Sequence, residues 1–503
     1  MVARVPHATH RSGTLGGLPS HRLESPMRHL LAFLLLCLLV PLVQASTPPA
    51  EQWFSVLLDG RKIGSFHLQR EARGEQVRTT QTLDITLERA GIRIGLRSSE
   101  SASETRTGMP LAFESRSQLS GVEQRIQGRI VDGTIQLTTS SAGNSQSRDM
   151  AWPKGAVLSE GARLAGLRAG LKPGTRYEVL AFQPSGLDSV QLATVVGARE
   201  HVDLPGGARE LSRIEQTMRM PLGTLQSTSW VDAQQTIHKM TLPLMGTQLV
   251  LLACDRACAT APNQDSDVFE RTLLAAPRAL GAAELGGTLR YTLTGGNGSD
   301  LVATAEQQVE RRGAQQVVVV RAQAQAGGAV APPEPADFAA NRYLQSDAPE
   351  VVALAHRAVG EATAPAQQMH NIEQFVRSYI QNKSLGVGYA SALEIVRKPE
   401  GDCTEHAVLV AALGRASGIA TRVVSGFAYT PEFAGRQHVF VPHAWTQAFV
   451  DGRWRSYDAA LGRFDAGHLA LGTGDGDPWR FYAGVGQLGS LQLGSVEAVP
   501  ARP

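Results

Sequence analysis

The segment Gly401-Asp402-Cys403-Thr404-Glu405-His406 places a thiol where a helix should begin. Asp402 can cap that helix through its carboxylate, and Glu405, three residues on, can reach back to the Asp402 amide. Cys403 is then the first helical residue. A helix N-terminus offers unpaired N–H groups and about half a positive charge, which favours a thiolate. The same N–H groups suit an oxyanion forming beside the sulfur. From Ala407 to Leu413 the residues are apolar on nearly every side, so the helix should be buried and hold its first residue rigidly. Without such surroundings a cysteine is a small buried hydrophobe.

A second group lies downstream. Asp451-Gly452, between two strand-like runs, predicts a two-residue hairpin turn. Counting outward, Val450 faces Arg453, Phe449 faces Trp454, Trp445 faces Asp458 and His443 faces Ala460. His443, Trp445 and Asp458 then share one face, with Asp458 the diagonal neighbour of His443 at roughly 7–8 Å between backbones. A carboxylate there can fix the imidazole tautomer and stabilise its cation. A slip of one residue would put the two on opposite faces. Cys403, His443 and Asp458 thus read as nucleophile, acid or base, and orienting carboxylate.

Gly401-Asp402-Cys403 opening a helix, His443-Ala444-Trp445 on a strand and Tyr457-Asp458-Ala459 closing the next resemble the transglutaminase-like core shared by papain-like thiol enzymes. The resemblance covers about residues 346–470 and is nearest to exported bacterial members. It implies an α+β domain in which Cys403 attacks an amide carbonyl and forms a thioester. His443 would protonate the leaving amine, and water or a second amine would release the acyl group. No cofactor or metal is implied, and the substrate is a protein or peptide, with cell-wall peptides one candidate. An upstream side chain usually completes the oxyanion hole, for which Tyr389 and Asn382 are the candidates. Asp402 and Trp445 border the expected cleft. Arg436-Gln437-His438 reads as a loop lining it. His406, one turn after Cys403, reads as buried and hydrogen-bonded.

Two other readings stay open. Cys403 and His406 with His438 and His443 have a spacing that zinc accepts, although the Asp458 pairing would then be idle. Alternatively the β-rich part does the work as a binding or scaffold protein with an inherited thiol fold. Asp475 and Asp477 read as a solvated loop rather than a calcium site.

The elements that must position these residues follow from periodicity. Helices are predicted at 350–359, 365–380, 390–397 and 403–416, and strands at 419–428, 443–450 and 453–459. Upstream, Leu83, Ile85 and Leu87 alternate with polar residues, as do Ile92, Ile94 and Leu96, and Asp59-Gly60 and Asp132-Gly133 read as hairpin turns. One helix is predicted at 157–169. The chain therefore reads as multidomain: a β-rich domain at 51–260, a second β-rich region at 262–335 ending in a Gly/Ala/Pro-rich linker, and the α+β domain at 342–503.

Residues 27–45 combine Arg28, fourteen mostly apolar residues and a small-residue exit at Ala45, which reads as a secretory signal. That places the protein in the periplasm or outside the cell. It would meet a membrane only through this segment, were it left uncleaved. Arg4, Arg11, Arg22 and Arg28 against Glu24 give +3 of a net charge of +2, so the remainder is −1, near neutral, and nucleic acid is not an expected partner. Cys254 and Cys258 can close a small disulfide loop in an oxidising compartment, which leaves Cys403 as the odd thiol.

Overall fold

The computed structural model describes residues 51–89, 92–119, 122–141, 144–220, 223–244, 247–265, 272–295, 301–322, 331–383, 389–476 and 491–500. The expected signal segment 27–45, Asp477 and residues 326–330 of the expected linker lie outside them.

Alternating sequences upstream build a 15-stranded antiparallel sheet over residues 51–254, broken in sense only by the short parallel pair Ala156–Val157 with Leu180–Ala181. Two meanders meet where Glu51–Leu58 pairs with both Arg61–Arg73 and Thr247–Cys254. Its inward face carries Phe54, Val56, Phe66, Leu83, Met218 and Leu251, all fully buried. The expected helix runs Ser159–Ala169, and its first amides are accepted by the buried Glu104 carboxylate at 2.5 and 2.9 Å. Burial pushes Glu104 up to about 7. Cys254 and Cys258 form a disulfide.

The α+β part has helices α1 (Pro349–Val359), α2 (Pro365–Tyr379), α3 (Ala392–Arg397) and α4 (Cys403–Ala416). Every residue of α4 from Thr404 to Arg415 is buried, as an all-round apolar helix requires. It packs on α1, α2 and α3, and on the strands β1 (Thr421–Phe433) and β2 (Arg436–Val450). β3 (Arg453–Tyr457) pairs with β2, and β4 (His468–Gly474) pairs with β1. Thr446 Oγ1 donates to the Ala407 carbonyl at 2.8 Å, fastening β2 to α4.

Two sequence expectations need correction. Arg436-Gln437-His438 is not a loop. Ala434 and Gly435, both at positive φ, form a tight turn that starts β2 seven residues before His443. Nor do the two C-terminal units separate near 335–342. Strand Gln492–Ala498 pairs with Thr288–Thr294, and Leu274–Ala275 pairs with β2 at Val439–Phe440. Glu306 accepts from Ser456 N at 2.8 Å, and the Gln307 amide brackets Ala470, so the 301–322 segment locks β2, β3 and β4. A Gly/Ala/Pro-rich stretch marks a chain crossing; it does not show that the cores on either side are separate.

Gly426 pairs with His443 on one side and Ala470 on the other, at a register break between β1 and β4. A Cβ there would lie 2.1 Å from the Leu469 carbonyl oxygen and 2.8 Å from the Trp445 ring. Gly426→Ala should therefore lower unfolding free energy by about 1–3 kcal/mol in a denaturant titration. Gly95→Ala, whose Cβ meets nothing within 4 Å, is the control and should be close to neutral.

Candidate active site

The start of α4 is built as its sequence requires. Asp402 Oδ1 accepts from Thr404 N and Thr404 Oγ1, each at 2.9 Å, and Glu405 Oε2 accepts from Asp402 N at 2.8 Å. Gly401 allows this closeness, because a Cβ would sit 2.3 Å from Glu405 Cγ. Glu405 is fully buried, and its Oε1 accepts from Ala390 N at 2.9 Å, which pins the 389–390 segment to the helix start. Burial, then the neighbouring Asp402 charge, raises the Glu405 carboxyl. Cys403, outside the disulfide and half-buried, packs against the large apolar cluster that includes Ala407, Phe427 and Ala444. Ala444 follows His443 directly in β2.

The Asp451-Gly452 turn has positive φ at both residues and sets the predicted register, from Val450 opposite Arg453 to Thr446 opposite Tyr457. One step further, His443 Nε2 lies 2.9 Å from Asp458 Oδ2. Asp458 Oδ1 accepts from Ala460 N at 2.9 Å and Leu461 N at 3.1 Å, and Asp458 N donates to Glu373 Oε1 at 2.7 Å. Burial opposes ionisation of Asp458, yet the charge of His443 and the hydrogen bonds from His443 and His468 hold its carboxyl well below the usual range. Burial pushes Glu373 up to about 7.

His468, Asp465 and Glu373 were not found by sequence reasoning. His468 Nε2 lies 3.0 Å from the same Asp458 Oδ2, and His468 Nδ1 lies 3.0 Å from Asp465 Oδ1. Burial disfavours charge on His468, but the two carboxylates outweigh it and raise the imidazole to about 9. Its only signal was the alternation His468-Leu469-Ala470-Leu471, which announces a strand and says nothing of which strand it joins.

The other candidates are dispersed. Trp445 is 2 % exposed and walls in the imidazoles, its ring 6.2 Å from His443 and 5.2 Å from His468, rather than lining an open cleft. Tyr389 is buried and its hydroxyl donates to the Gly476 carbonyl, away from an oxyanion role. Asn382 lies beside the helix start, its carbonyl accepting from Gly401 N at 3.0 Å. His438 Nδ1 is 3.3 Å from the Tyr429 hydroxyl, five residues along the strand from His443. His406 Nδ1 is 2.6 Å from the Asp402 carbonyl oxygen, and burial lowers its pKa. The zinc set Cys403, His406, His438 and His443 is therefore not assembled. Among the described residues, the donor group drawn within 4.8 Å is His443, Asp458 and His468, joined as hydrogen bonds. Asp475 is half-buried, and its carbonyl accepts from Asn341 Nδ2 at 2.8 Å, unlike the solvated loop expected.

A buried imidazole rests on a buried carboxylate, and the strand that bears it is fastened to the capped helix that bears the thiol. Residues 352–459 match the model of the transglutaminase-like superfamily. This transglutaminase-like core spans α1 to the residue after Asp458; His468 and Asp465 lie beyond it. Solved structures similar to the chain are distant. A candidate cysteine protease from Cytophaga hutchinsonii is 14 % identical, with 43 % of this chain and 84 % of that one covered and a TM-score of 0.28. A β-barrel-like protein of a domain of unknown function from Brucella abortus is 13 % identical, with 41 % and 95 % covered and a TM-score of 0.31. A candidate protease from Parabacteroides distasonis is 12 % identical, with 76 % and 69 % covered and a TM-score of 0.20. No curated protein matches the chain.

Both Glu405 oxygens face donors, so an amide in its place would turn an N–H toward an N–H. Glu405→Gln should cost about 1–3 kcal/mol of stability in a denaturant titration and slow alkylation of Cys403 as the helix start loosens.

Proposed function

We propose that the protein is an exported thiol enzyme acting on amide bonds of proteins or peptides through Cys403, His443 and Asp458. The observation that carries this reading is the 2.9 Å contact of His443 Nε2 with Asp458 Oδ2, inside a transglutaminase-like core that opens α4 with Cys403. With Nε2 held by the carboxylate, Nδ1 is the ring nitrogen that exchanges a proton with the sulfur. Nδ1 takes the thiol proton, and the thiolate adds to the amide carbonyl carbon. The resulting oxyanion forms beside the N-terminus of α4, whose partial positive charge favours it. His443 returns the proton to the leaving nitrogen, the C–N bond breaks and a thioester remains. Water or an amine, deprotonated by Nδ1, then attacks the thioester and restores the thiol.

Hydrolysis is the favoured outcome, because water is always present, whereas transfer needs an acceptor site that excludes it. The signal-like segment 27–45 supports export, and from that location follows the proposal of cell-wall cross-link peptides as substrate.

The rate of Cys403 alkylation by iodoacetamide, measured against pH, tests the mechanism. Its midpoint should fall well below the ~8.5 of an ordinary thiol, and His443→Ala should return it there. On peptide substrates His443→Ala should cost roughly 10²–10⁴-fold in kcat, and mass spectrometry should trap an acyl group on Cys403. An ordinary thiol profile, indifferent to His443, would leave the binding or scaffold reading in its place.

A further inference from the structure

Asp458 carries two imidazoles on one oxygen. His443 Nε2 and His468 Nε2 lie 2.9 and 3.0 Å from Oδ2, while Oδ1 is taken by the Ala460 and Leu461 amides. An ionised carboxylate only accepts, so the ring nitrogen of His468 that faces it carries a proton. The other ring nitrogen of His468 lies 3.0 Å from Asp465 Oδ1 and 3.1 Å from the Asp465 carbonyl oxygen, both acceptors; the Asp465 amide is farther, at 3.3 Å. A ring with acceptors at both nitrogens is an imidazolium. Asp458 and His468 are 1 % and 2 % exposed, so water does not compete for these contacts.

We propose that His468 is a positioning residue of this site: an imidazolium clamped between Asp465 and Asp458 that holds Oδ2 toward His443 and takes up part of its negative charge. The proposal rests on the reading of Cys403, His443 and Asp458 as one site, and reaches residues outside the transglutaminase-like match. Its chemical use is specific. A buried carboxylate serving one imidazole alone would hold that imidazole's proton tightly, and a proton held too tightly is not passed to a leaving amine. Sharing the carboxylate with a second cation weakens the hold without moving the ring.

Other charged groups act on the same point. Glu373 faces Asp458 N from α2, and Arg377, also on α2, lies against Gly462. Lys383 donates to the Ala460 carbonyl, and His406 on α4 interacts electrostatically with Asp458 and Asp402. Tyr291 stands beyond Asp465, its hydroxyl on the Ala466 carbonyl. None of these supplies a cation in hydrogen-bond contact with Oδ2; His468 does.

Nitrogen-15 histidine labelling of the full chain reads the ring protonation without any substrate. In the wild type, the signal removed by His468→Gln should keep its imidazolium shift from pH 6 to above pH 8. In His468→Gln the ring titration of His443 should move up by about 1 pH unit. Asp465→Asn, which keeps the imidazole but removes its anchor, should move it less and in the same direction, and it identifies the His468 signal should His468→Gln fail to fold. A neutral His468 ring at pH 7, an unmoved His443 titration in a folded variant, or one zinc ion per chain lost on substitution would each overturn the proposal. A failure of the thiol chemistry would appear instead in the Cys403 alkylation profile and would leave these ring shifts as they are.

Discussion

The ionised Asp458 carboxylate, sealed from water, is the constraint around which the α+β part is organised. A buried charge costs several kcal/mol unless every lone pair is met. Here two backbone amides meet one oxygen and two imidazoles meet the other. Those four donors come from β2, from the turn after β3 and from β4, so the charge is tolerable only when all three elements are in register. The pairings of β1 with β2 and with β4 are thereby tied to the burial of this charge. Gly426 sits at their meeting point, where no side chain fits.

A comparable economy governs the helix. Glu405 closes the capping box on Asp402 and also receives the Ala390 amide, so the start of α4 is fixed both by its own turn and by the strand-less segment beside it. Thr446 bonds the Ala407 carbonyl one turn into the same helix. The thiol is thus carried on the most buried helix described and the imidazole on a central strand. Rigid supports of this kind hold side chains in place better than loops do.

Legibility followed the range of the interaction. The cap on α4, the Asp451-Gly452 turn and the register that sets Asp458 near His443 depend on residues within a turn or a hairpin, and were readable from spacing. The β2 strand was misjudged at its start because Ala434-Gly435 lacks the usual Asn-Gly or Asp-Gly signature, though the backbone takes the same positive φ. His468, Glu373 and Tyr389 were invisible or misassigned for another reason: each acts through a partner 10 to 87 residues away.

By itself the amino-acid sequence determined the local frame: a capped apolar helix with a thiol at its first position, a hairpin with an imidazole and a carboxylate on one face, and alternating strands upstream. These are set by backbone geometry and by period, which act between near neighbours. Tertiary structure alone decided which carboxylate oxygen each histidine shares, that Gln492–Ala498 returns to Thr288–Thr294, and that Glu306 and Gln307 reach the strands behind the site. A buried charge or an open strand edge demands a partner, but only the folded chain specifies which distant residue supplies it.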